Sequence, residues 1–446
     1  MKISSTSAVI AALTLVCHAT AQTSERAAEV PSFVSPAFDD RIFGDAYGHR
    51  ATLANLGLDV DLLATIDFTA SSGGLSDMQG GEYLLDLSLT FDLGQAKIID
   101  GGTVFADLQY WNWFGDSPLS VGDYWGWDVI NPALGDEMFQ LSELWWQQAI
   151  GDSGLTATVG KIDGARFFGV IPNAGPFLNA SDCQPSTMLG TLPTYPNPSM
   201  AAILQWKLGA NHEADPAAEA KTATTWLAQA GIFDGANAAY QPSTGSNGPR
   251  TGSRGPAGMF SDATYAIADF GPTWYAGSDA WRGNATVGGW MQFGQTLRTT
   301  SVASTVVENM SGVYLTLTQS LYGAGDSSTR FDLFSQSSWA DPAKAQAQWS
   351  GNIGTICRAP FAARPRDSAG LLAGITLFSD DPLVFTAPNS TNSGGHESVF
   401  ECFYRVQLEH GVVLQPDLQW ISTPSGGDPA SLDAAFIATL HVEIAF

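Results

Sequence analysis

The sequence predicts an all-β transmembrane fold: an antiparallel β-barrel of about 16 strands with long extracellular loops and short periplasmic turns. Three observations support this prediction. Apolar and polar residues alternate in runs of 9–13 residues, which is the period of a β-strand. Gly-, Pro-, Ser- and Asn-rich segments separate the runs. After residue 21 no segment approaches the ~20 consecutive apolar residues of a spanning helix, and a closed barrel is the other architecture that satisfies its backbone in lipid.

The first 21 residues have the organisation of an export signal. Met1-Lys2 provides a positive start, residues 8–16 form a short apolar stretch, and Ala19-Thr20-Ala21 supplies the small residues of a cleavage site. We therefore expect the mature chain to begin at Gln22.

The chain is expected to have three parts: a signal peptide over residues 1–21, an N-terminal periplasmic segment over 22–55, and the barrel over 56–446. A short amphipathic helix is predicted near the end of the second part. Asp45 and Arg50 precede the first strand, and we expect them to anchor this segment rather than to contact a substrate.

Strand alternation is clearest in five runs that have one apolar face and one face carrying the charges. In the first run Leu62, Ile66 and Phe68 share one face, while Asp61 and Asp67 fall on the other. Basic side chains on a lipid face cost about 2–4 kcal/mol at mid-bilayer, whereas a watery lumen accepts charge. The pattern therefore predicts lipid outside and water inside. The five runs cover residues 56–68, 83–93, 400–408, 412–420 and 436–446.

Eleven further strands bring the predicted count to sixteen, which is even, as in bacterial barrels. Sixteen strands enclose an aqueous channel rather than a packed core. The further strands are predicted to begin near Thr103, Phe139, Leu155, Ala201, Thr225, Thr264, Ala285, Ser311, Arg330, Trp349 and Ala369.

Two kinds of connection are predicted between the strands. The long loops are Trp111–Met138, Phe167–Met200, Gln241–Phe260 and Ser379–Ser398, and the short connectors include His410-Gly411 and Ser422–Ala430. We expect the long loops on one side of the membrane and the short turns on the other.

Charge and composition exclude several functions. The net charge is −25, so a nucleic acid would be repelled. No metalloprotease, nucleophile-elbow, P-loop or dinucleotide-binding motif is present, and the six histidines lack ligand spacing. We therefore expect no enzyme activity, no catalytic residues, no metal and no cofactor. Cys183 and Cys357 are either paired or, together with Cys402, unpaired thiols.

Short motifs occur in a fixed order from residue 43 to the C-terminus. They are Phe43–Arg50 (with Gly-Asp-x-x-Gly-x-Arg), Leu141–Gln148 (with Glu-Leu-Trp-Trp-Gln-Gln), Val159–Asp163, Tyr195–Pro198, Phe233–Gly235, Gly288–Trp290, and the pair Phe403–Leu408 and Leu414–Trp420. In this order they resemble the carbohydrate-selective porin family, of the glucose-inducible outer-membrane porin type, over essentially the whole mature chain. Gln147 stands where the family pattern has Glu, and Trp146 where it has Tyr.

The resemblance implies a sixteen-stranded barrel in the bacterial outer membrane, passive diffusion of glucose and other neutral sugars, and no energy coupling. The expected partners are neutral mono- or oligosaccharides in transit, outer-membrane lipids, and the barrel-assembly machinery through the last strand, which ends at Phe446. A monomer and a homotrimer are both compatible with the sequence.

A sugar-selective channel needs aromatic planes for stacking and polar groups for paired hydrogen bonds. Strand parity predicts that one set of polar and aromatic side chains lines the pore. The first long loop, which contains Trp111, Trp113, Trp125 and Trp127, is expected to fold inwards, and Trp111 and Trp113 are added to the predicted pore-lining residues. The full set is Trp111, Trp113, Glu143, Trp145, Gln147, Glu401, Arg405, Gln407, Gln415, Asp417 and Gln419. Alternatively, any single charged residue of this set is only a hydrated part of the channel wall and binds no sugar. The loop tryptophans could alternatively lie at the level of the lipid headgroups, where tryptophan is enriched.

Two other functions stay open at this stage. One is a general or cation-leaning diffusion porin, which the acidic composition favours. The other is a soluble exported carbohydrate-binding β-protein, because strands of soluble sandwiches also alternate.

Overall fold

The computed structural model describes residues 41–132, 137–171, 174–182, 184–189, 191–209, 224–235, 260, 263–300, 302–322, 329–387, 392–427 and 432–446, apart from 277–280. The described residues contain sixteen strands. They are β1 Leu58–Gly74, β2 Met78–Asp92, β3 Gly102–Gly115, β4 Met138–Ala149, β5 Leu155–Ile162, β6 Ser199–Leu208, β7 Thr225–Asp234, β8 Ala263–Ala276, β9 Trp281–Thr299, β10 Ser304–Tyr322, β11 Arg330–Ala340, β12 Ala347–Arg358, β13 Ser368–Phe378, β14 His396–Gln407, β15 Val412–Ser422 and β16 Asp433–Ala445.

The strands close into one antiparallel barrel, in which each strand pairs with its chain neighbours. β1 also pairs with β16, with Phe68 opposite Leu440, so the sheet has no free edge. The predicted fold class and all sixteen predicted strands are confirmed. Strand lengths range from 8 residues in β5 to 19 in β9 and β10. This range is wider than the 9–13 residues of the alternating runs in the sequence.

The two faces of the wall follow the predicted alternation. Phe68 and Leu144 point outwards and are 49% and 46% exposed. Their neighbours Asp67 and Glu143 point inwards and are buried in the interior. The outer surface is therefore apolar and the lumenal face polar, as expected for a wall with lipid on one side. Among the described residues, no helix is long and apolar enough to cross a bilayer.

Connections alternate between the two ends of the barrel because the strands alternate in direction. One end, here called the termini end, carries residues 41–57, the C-terminus and the turn 408–411. The other, the loop end, carries the described residues of the connections 116–137, 163–198 and 379–395. The described residues of 423–432 also lie at the loop end, so Ser422–Ala430 was wrongly grouped with the turns of the opposite side. Most of the predicted loop Gln241–Phe260 lies outside the described residues.

A short helix fastens the start of the barrel to its end. This helix, α1, spans His49–Asn55. Arg50 donates from Nη1 to the carbonyl oxygen of Val60 at 2.6 Å and from Nη2 to the carbonyl oxygen of Phe446. Asp45 accepts a hydrogen bond from the amide of Ala51 at 2.9 Å. The contacts of Asp45 and Arg50 are therefore with the chain's own backbone.

Of the two alternatives left open for the cysteines, the pairing of Cys183 with Cys357 is excluded. Cys357 is a free thiol. It shares the strand parity of Ile353, which is exposed on the outer face of β12. Cys402 is also free, and Cys183 lies outside the described residues.

Candidate functional site in the barrel lumen

Residues 163–198, here called the constriction loop, fold into the barrel from the loop end and bond to the opposite wall. Gln336 on β11 donates from Nε2 to the carbonyl oxygen of Gly169 at 2.7 Å. Asn352 on β12 donates from Nδ2 to the carbonyl oxygen of Ser181 at 2.6 Å. The loop therefore crosses the lumen and fixes its width.

Glu401 on β14 holds the middle of the constriction loop. Its carboxylate accepts hydrogen bonds from the amides of Leu178 at 2.6 Å and Asn179 at 3.1 Å. The Asn179 side chain also donates to Oε1 of Gln419 at 3.1 Å, and Gln415 donates to the carbonyl oxygen of Pro176 at 2.7 Å. Sequence parity placed Glu401, Gln415 and Gln419 in the lumen. They do point inwards, but they are hydrogen-bonded to the loop and their side chains are fully buried.

A second segment, residues 116–137, also folds inwards and is here called the inner loop. Glu397 on β14 accepts hydrogen bonds from the amides of Tyr124 at 2.7 Å and Trp125 at 3.3 Å. The two loops join where the amide of Ala180 donates to the carbonyl oxygen of Gly126 at 2.9 Å. The wall and both loops thus form one hydrogen-bonded unit.

Apolar contacts seal the same region against β11 and β14. Phe177 of the constriction loop meets Phe334 at a ring-centroid distance of 5.6 Å and Phe403 at 4.9 Å. All three rings are buried, as are Ile356 and Leu372 beside them. Such packing stabilises the loop position in addition to its hydrogen bonds.

On the other side of the lumen, Glu143 pairs with Arg166 of the constriction loop. Arg166 Nε lies 3.0 Å from Glu143 Oε1, and its guanidinium stands over the ring of Phe105 at 4.9 Å. Trp145 donates from Nε1 to Glu143 Oε2 at 3.1 Å and stacks on Phe105 at 4.9 Å. Gln147 donates to the hydroxyl of Thr158 at 3.0 Å.

Burial decides which members of this group a solute reaches. Glu143, Trp145 and Gln147 are nearly fully buried, so the indole of Trp145 offers no open face for stacking. The Arg166 side chain is 22% exposed. Arg166 was not predicted, because it lies in an irregular loop where strand parity gives no signal.

Electrostatics couples Arg166 to its acidic neighbours. Burial and, to a smaller extent, the charge of Glu143 raise the pKa of Asp163 to about 6. Burial lowers the pKa of Arg166, but the charge and hydrogen bonds of Glu143 outweigh it, so the pKa is raised overall. Asp163 accepts hydrogen bonds from the amides of Ala165 at 2.8 Å and Tyr195 at 3.0 Å, which fix both ends of the constriction loop.

Two of the four predicted loop tryptophans are strand residues. Trp111 and Trp113 belong to β3, which continues to Gly115, so the predicted loop start at Trp111 is wrong. Trp111 is buried and donates from Nε1 to Glu82 Oε2 at 2.8 Å. Trp125 and Trp127 do lie in the inner loop, where both are buried. The sequence order Trp-Asn-Trp-Phe before Gly-Asp-Ser-Pro resembled a loop only because the turn signal follows it.

Of the remaining predicted residues, Arg405 and Gln407 lie near the termini end and Asp417 lies opposite Phe403 in the middle of β15. Arg405 on β14 forms an ion pair with Glu443 on β16 and donates to Gln415 Oε1 at 3.3 Å. Its side chain is 17% exposed. Gln407 ends β14 and is half-buried, whereas Asp417 on β15 is buried. Within the described part of the chain, no group of three or more His, Cys, Asp or Glu residues is placed to hold a metal ion.

A closed sixteen-strand barrel with an apolar exterior and a polar lumen narrowed by inward loops defines a porin-type channel. The carbohydrate-selective porin, OprB family, matches residues 52–446. The chain belongs to this family and is a carbohydrate porin of the bacterial outer membrane. The comparison with curated protein sequences found no match.

Two solved structures share the fold at low sequence identity. The high-pH structure of Pseudomonas putida OprB matches with a TM-score of 0.70 and 17% identity, over 92% of this chain and 99% of that chain. The low-pH structure of the same protein matches with a TM-score of 0.54 and 14% identity, over 91% and 98%. At these identities the likeness confirms the barrel architecture.

Proposed function

We propose that this porin conducts glucose and other neutral sugars by passive diffusion, without energy coupling and without catalysis. The observation that carries the proposal is the constriction loop, which is hydrogen-bonded to the wall on opposite sides of the lumen through Glu143 and Glu401. A loop fixed in this way limits the size of the solute. Lining groups that bind weakly let the sugar leave again.

The lumenal residues have different roles in this proposal. Arg166 and Arg405 keep partly exposed guanidinium groups in the lumen, and these donate to sugar hydroxyls. Glu143 and Glu443 orient these two guanidiniums as their ion-pair partners. Glu401, Gln415 and Gln419 act as positioning residues, because their polar atoms hold the loops. Trp111, Trp145 and Gln147 stabilise the wall through hydrogen bonds to Glu82, Glu143 and Thr158, respectively.

The proposal includes an orientation in the membrane. The termini end, with α1 and Phe446, faces the periplasm, and the loop end faces outside, as in other bacterial barrels. Residues 1–21 act as the signal peptide and 22–55 as a periplasmic segment. The exposed apolar belt contacts outer-membrane lipid, and the last strand is offered to the barrel-assembly machinery.

A second candidate function is cation-leaning general diffusion. Asp59 and Asp61 on β1 and Asp86 on β2 lie on the lumenal face of the wall, and the chain carries a net charge of −25. Carboxylates in a narrow channel raise the local concentration of cations. A reversal potential in a KCl gradient measures this preference independently of sugar.

Single-channel current with added glucose tests the proposed function. We expect saturable block of the ion current by glucose, and a higher half-blocking concentration for Arg405→Gln. Glu409→Gln, an exposed substitution in the turn 408–411, serves as the control for a local change of charge at the termini end. A current that glucose leaves unchanged would favour the general porin.

A further inference from the structure

Three arginines form a row across β11, β12 and β14 at the termini end of the lumen. Arg330 pairs directly with Arg358 in the strand register, Arg358 pairs with Ser368 on β13, and Ser368 pairs with Arg405. Neighbouring strands are about 4.8 Å apart, so the backbones of Arg330 and Arg405 are about 15 Å apart. All four positions share the inward parity of the buried residues Asp332, Ile356, Leu372 and Phe403. Arg330, Arg358 and Arg405 are here called the arginine row.

The arginine row has fewer carboxylates than guanidinium groups. Asp332 serves two arginines, with Arg330 Nη2 at 3.0 Å and Arg358 Nε at 3.5 Å. Glu443 pairs with Arg405 and also lies 3.1 Å from the ring of His441. Arg358 is close enough to both other arginines for their charges to repel it. Positive charge is therefore in excess along the row.

Arg358, in the middle of the row, has donors to spare. Its Nε is buried, lies 3.5 Å from Asp332 and makes no hydrogen bond. A guanidinium carries five N–H donors in a fixed fork, which fits a carboxylate or a phosphate. The side chain is 27% exposed, and those of Arg330 and Arg405 are 31% and 17% exposed. A solute in the lumen can therefore reach the row.

The position of the row separates it from the constriction. Phe334 and Phe403 lie on the same faces, four and two residues further into β11 and β14, and pack on Phe177 of the constriction loop. The row thus lies between this apolar contact and the termini end. The turn 359–367 carries a further arginine, Arg364, which is paired with Asp367 at 2.9 Å.

A separate group of acidic residues lies elsewhere around the barrel. Asp59, Asp61, Asp86 and Asp107 lie on β1 to β3, which β15 and β16 separate from the arginine row on one side and β4 to β10 on the other. The acidic residues on β1 to β3, here called the acidic sector, and the arginine row on β11 to β14 carry opposite charges. Together they create an electric field perpendicular to the channel axis. Such a field orients a solute that carries charge at one end and hydroxyls at the other.

We propose that the arginine row is a binding subsite for monosaccharides that carry one acidic group, a carboxylate or a phosphate. The acidic group binds at Arg358 between Arg330 and Arg405, and the hydroxyls face the acidic sector. This inference rests on the proposed sugar pathway and extends it from neutral to acidic sugars.

The test compares block of the single-channel current by glucose, glucuronate and glucose 6-phosphate. In the wild type we expect glucuronate or glucose 6-phosphate to block at lower concentration than glucose, more strongly in low salt than in high salt. The better blocker of the two identifies the preferred acidic group. In Arg358→Gln we expect the half-blocking concentration of the acidic sugar to rise about tenfold, or about 1.4 kcal/mol, with that of glucose changed less than about twofold.

Two further variants complete the design. Arg358→Lys keeps the charge but loses the planar fork, so we expect intermediate block. Lys344→Gln removes one cation from the 341–346 connection at the loop end and should leave block by acidic sugars unchanged. Heat-modifiable migration on gels confirms that each barrel is folded.

The outcomes separate this inference from the proposed function. No glucose block in the wild type would overturn the sugar pathway itself. Glucose block with no preference for acidic sugars, or with equal losses for glucose and glucuronate in Arg358→Gln, would overturn the subsite alone.

Discussion

Glu401 on β14 accepts a hydrogen bond at 2.6 Å from the amide of Leu178, which is 223 residues away in the sequence. The same carboxylate accepts a second bond from the amide of Asn179. Because the constriction loop is built into the wall in this way, the width of the channel depends on side chains that touch no solute. This explains why several wall residues expected to bind sugar act through the loop.

Glu401→Gln should loosen the constriction loop. The substitution removes a charged acceptor of two buried amide donors, and hydrogen bonds to charged groups contribute about 1.5–3 kcal/mol each. We expect larger single-channel conductance and weaker discrimination between mono- and disaccharides in liposome swelling. Glu409→Gln, on an exposed turn, removes the same charge and is the control. Unchanged conductance in Glu401→Gln would argue against the anchoring role.

Arg166→Ala should weaken glucose block. It removes a partly exposed guanidinium from the lumen and leaves Glu143 buried without its ion-pair partner. We expect the half-blocking concentration of glucose to rise about tenfold, which corresponds to about 1.4 kcal/mol. Lys97→Ala, in the exposed turn between β2 and β3, should change nothing. If glucose blocked Arg166→Ala and the wild type at the same concentration, Arg166 would be excluded as a sugar-binding residue.

The inner loop should loosen as the pH rises through neutrality. Burial raises the pKa of Asp123 from its ordinary value of 3.8 to about 7, against hydrogen bonds that lower it. The titratable group that faces Asp123 is Glu397. Since the folded pKa is raised, the stabilising contribution of Asp123 is full below about pH 4 and is lost as the pH rises through 7.

Amide hydrogen exchange of residues 120–127 in detergent micelles measures this effect. We expect faster exchange at pH 8 than at pH 5, after correction for the intrinsic rate. Asp123→Asn keeps an acceptor for the amide of Gly126, which donates to Asp123 at 2.9 Å, and should flatten the pH dependence. The same slope in the variant would exclude Asp123 as its source.

Arg50→Ala should weaken closure of the barrel without affecting selectivity. Arg50 bonds to the carbonyl oxygens of Val60 and Phe446, so it connects α1, β1 and the C-terminal residue. Loss of these charge-assisted bonds should cost about 1.5–3 kcal/mol, seen as a lower temperature of conversion on heat-modifiability gels. The exposed neighbour substitution His49→Ala should leave that temperature unchanged. A lower temperature in both variants would point to α1 as a whole rather than to Arg50.

The wall of the barrel was predictable because the relevant signal is local. In β1 the order of Asp61, Leu62, Ile66, Asp67 and Phe68 already separates the lipid face from the lumenal face. Even the weakly alternating runs near Arg330 and Trp349 proved to be strands. A closed barrel gives each strand the same two environments, so parity alone places a side chain inside or outside.

The interior was not predictable to the same degree. Parity placed Glu401 and Gln419 in the lumen, but nothing local indicates that Leu178 and Trp127 fold onto them from distant loops. Trp111 was assigned to a loop because a strong turn signal follows it closely. Arg358 lies at the very end of its strand, where alternation carries little information.

The most direct test of the account is the current through single purified barrels in a planar bilayer while glucose is added. We predict a stable ionic conductance that glucose blocks saturably and reversibly, with no requirement for an energy source. A protein that forms no channel, or a channel whose current is indifferent to glucose at every concentration, would contradict the account.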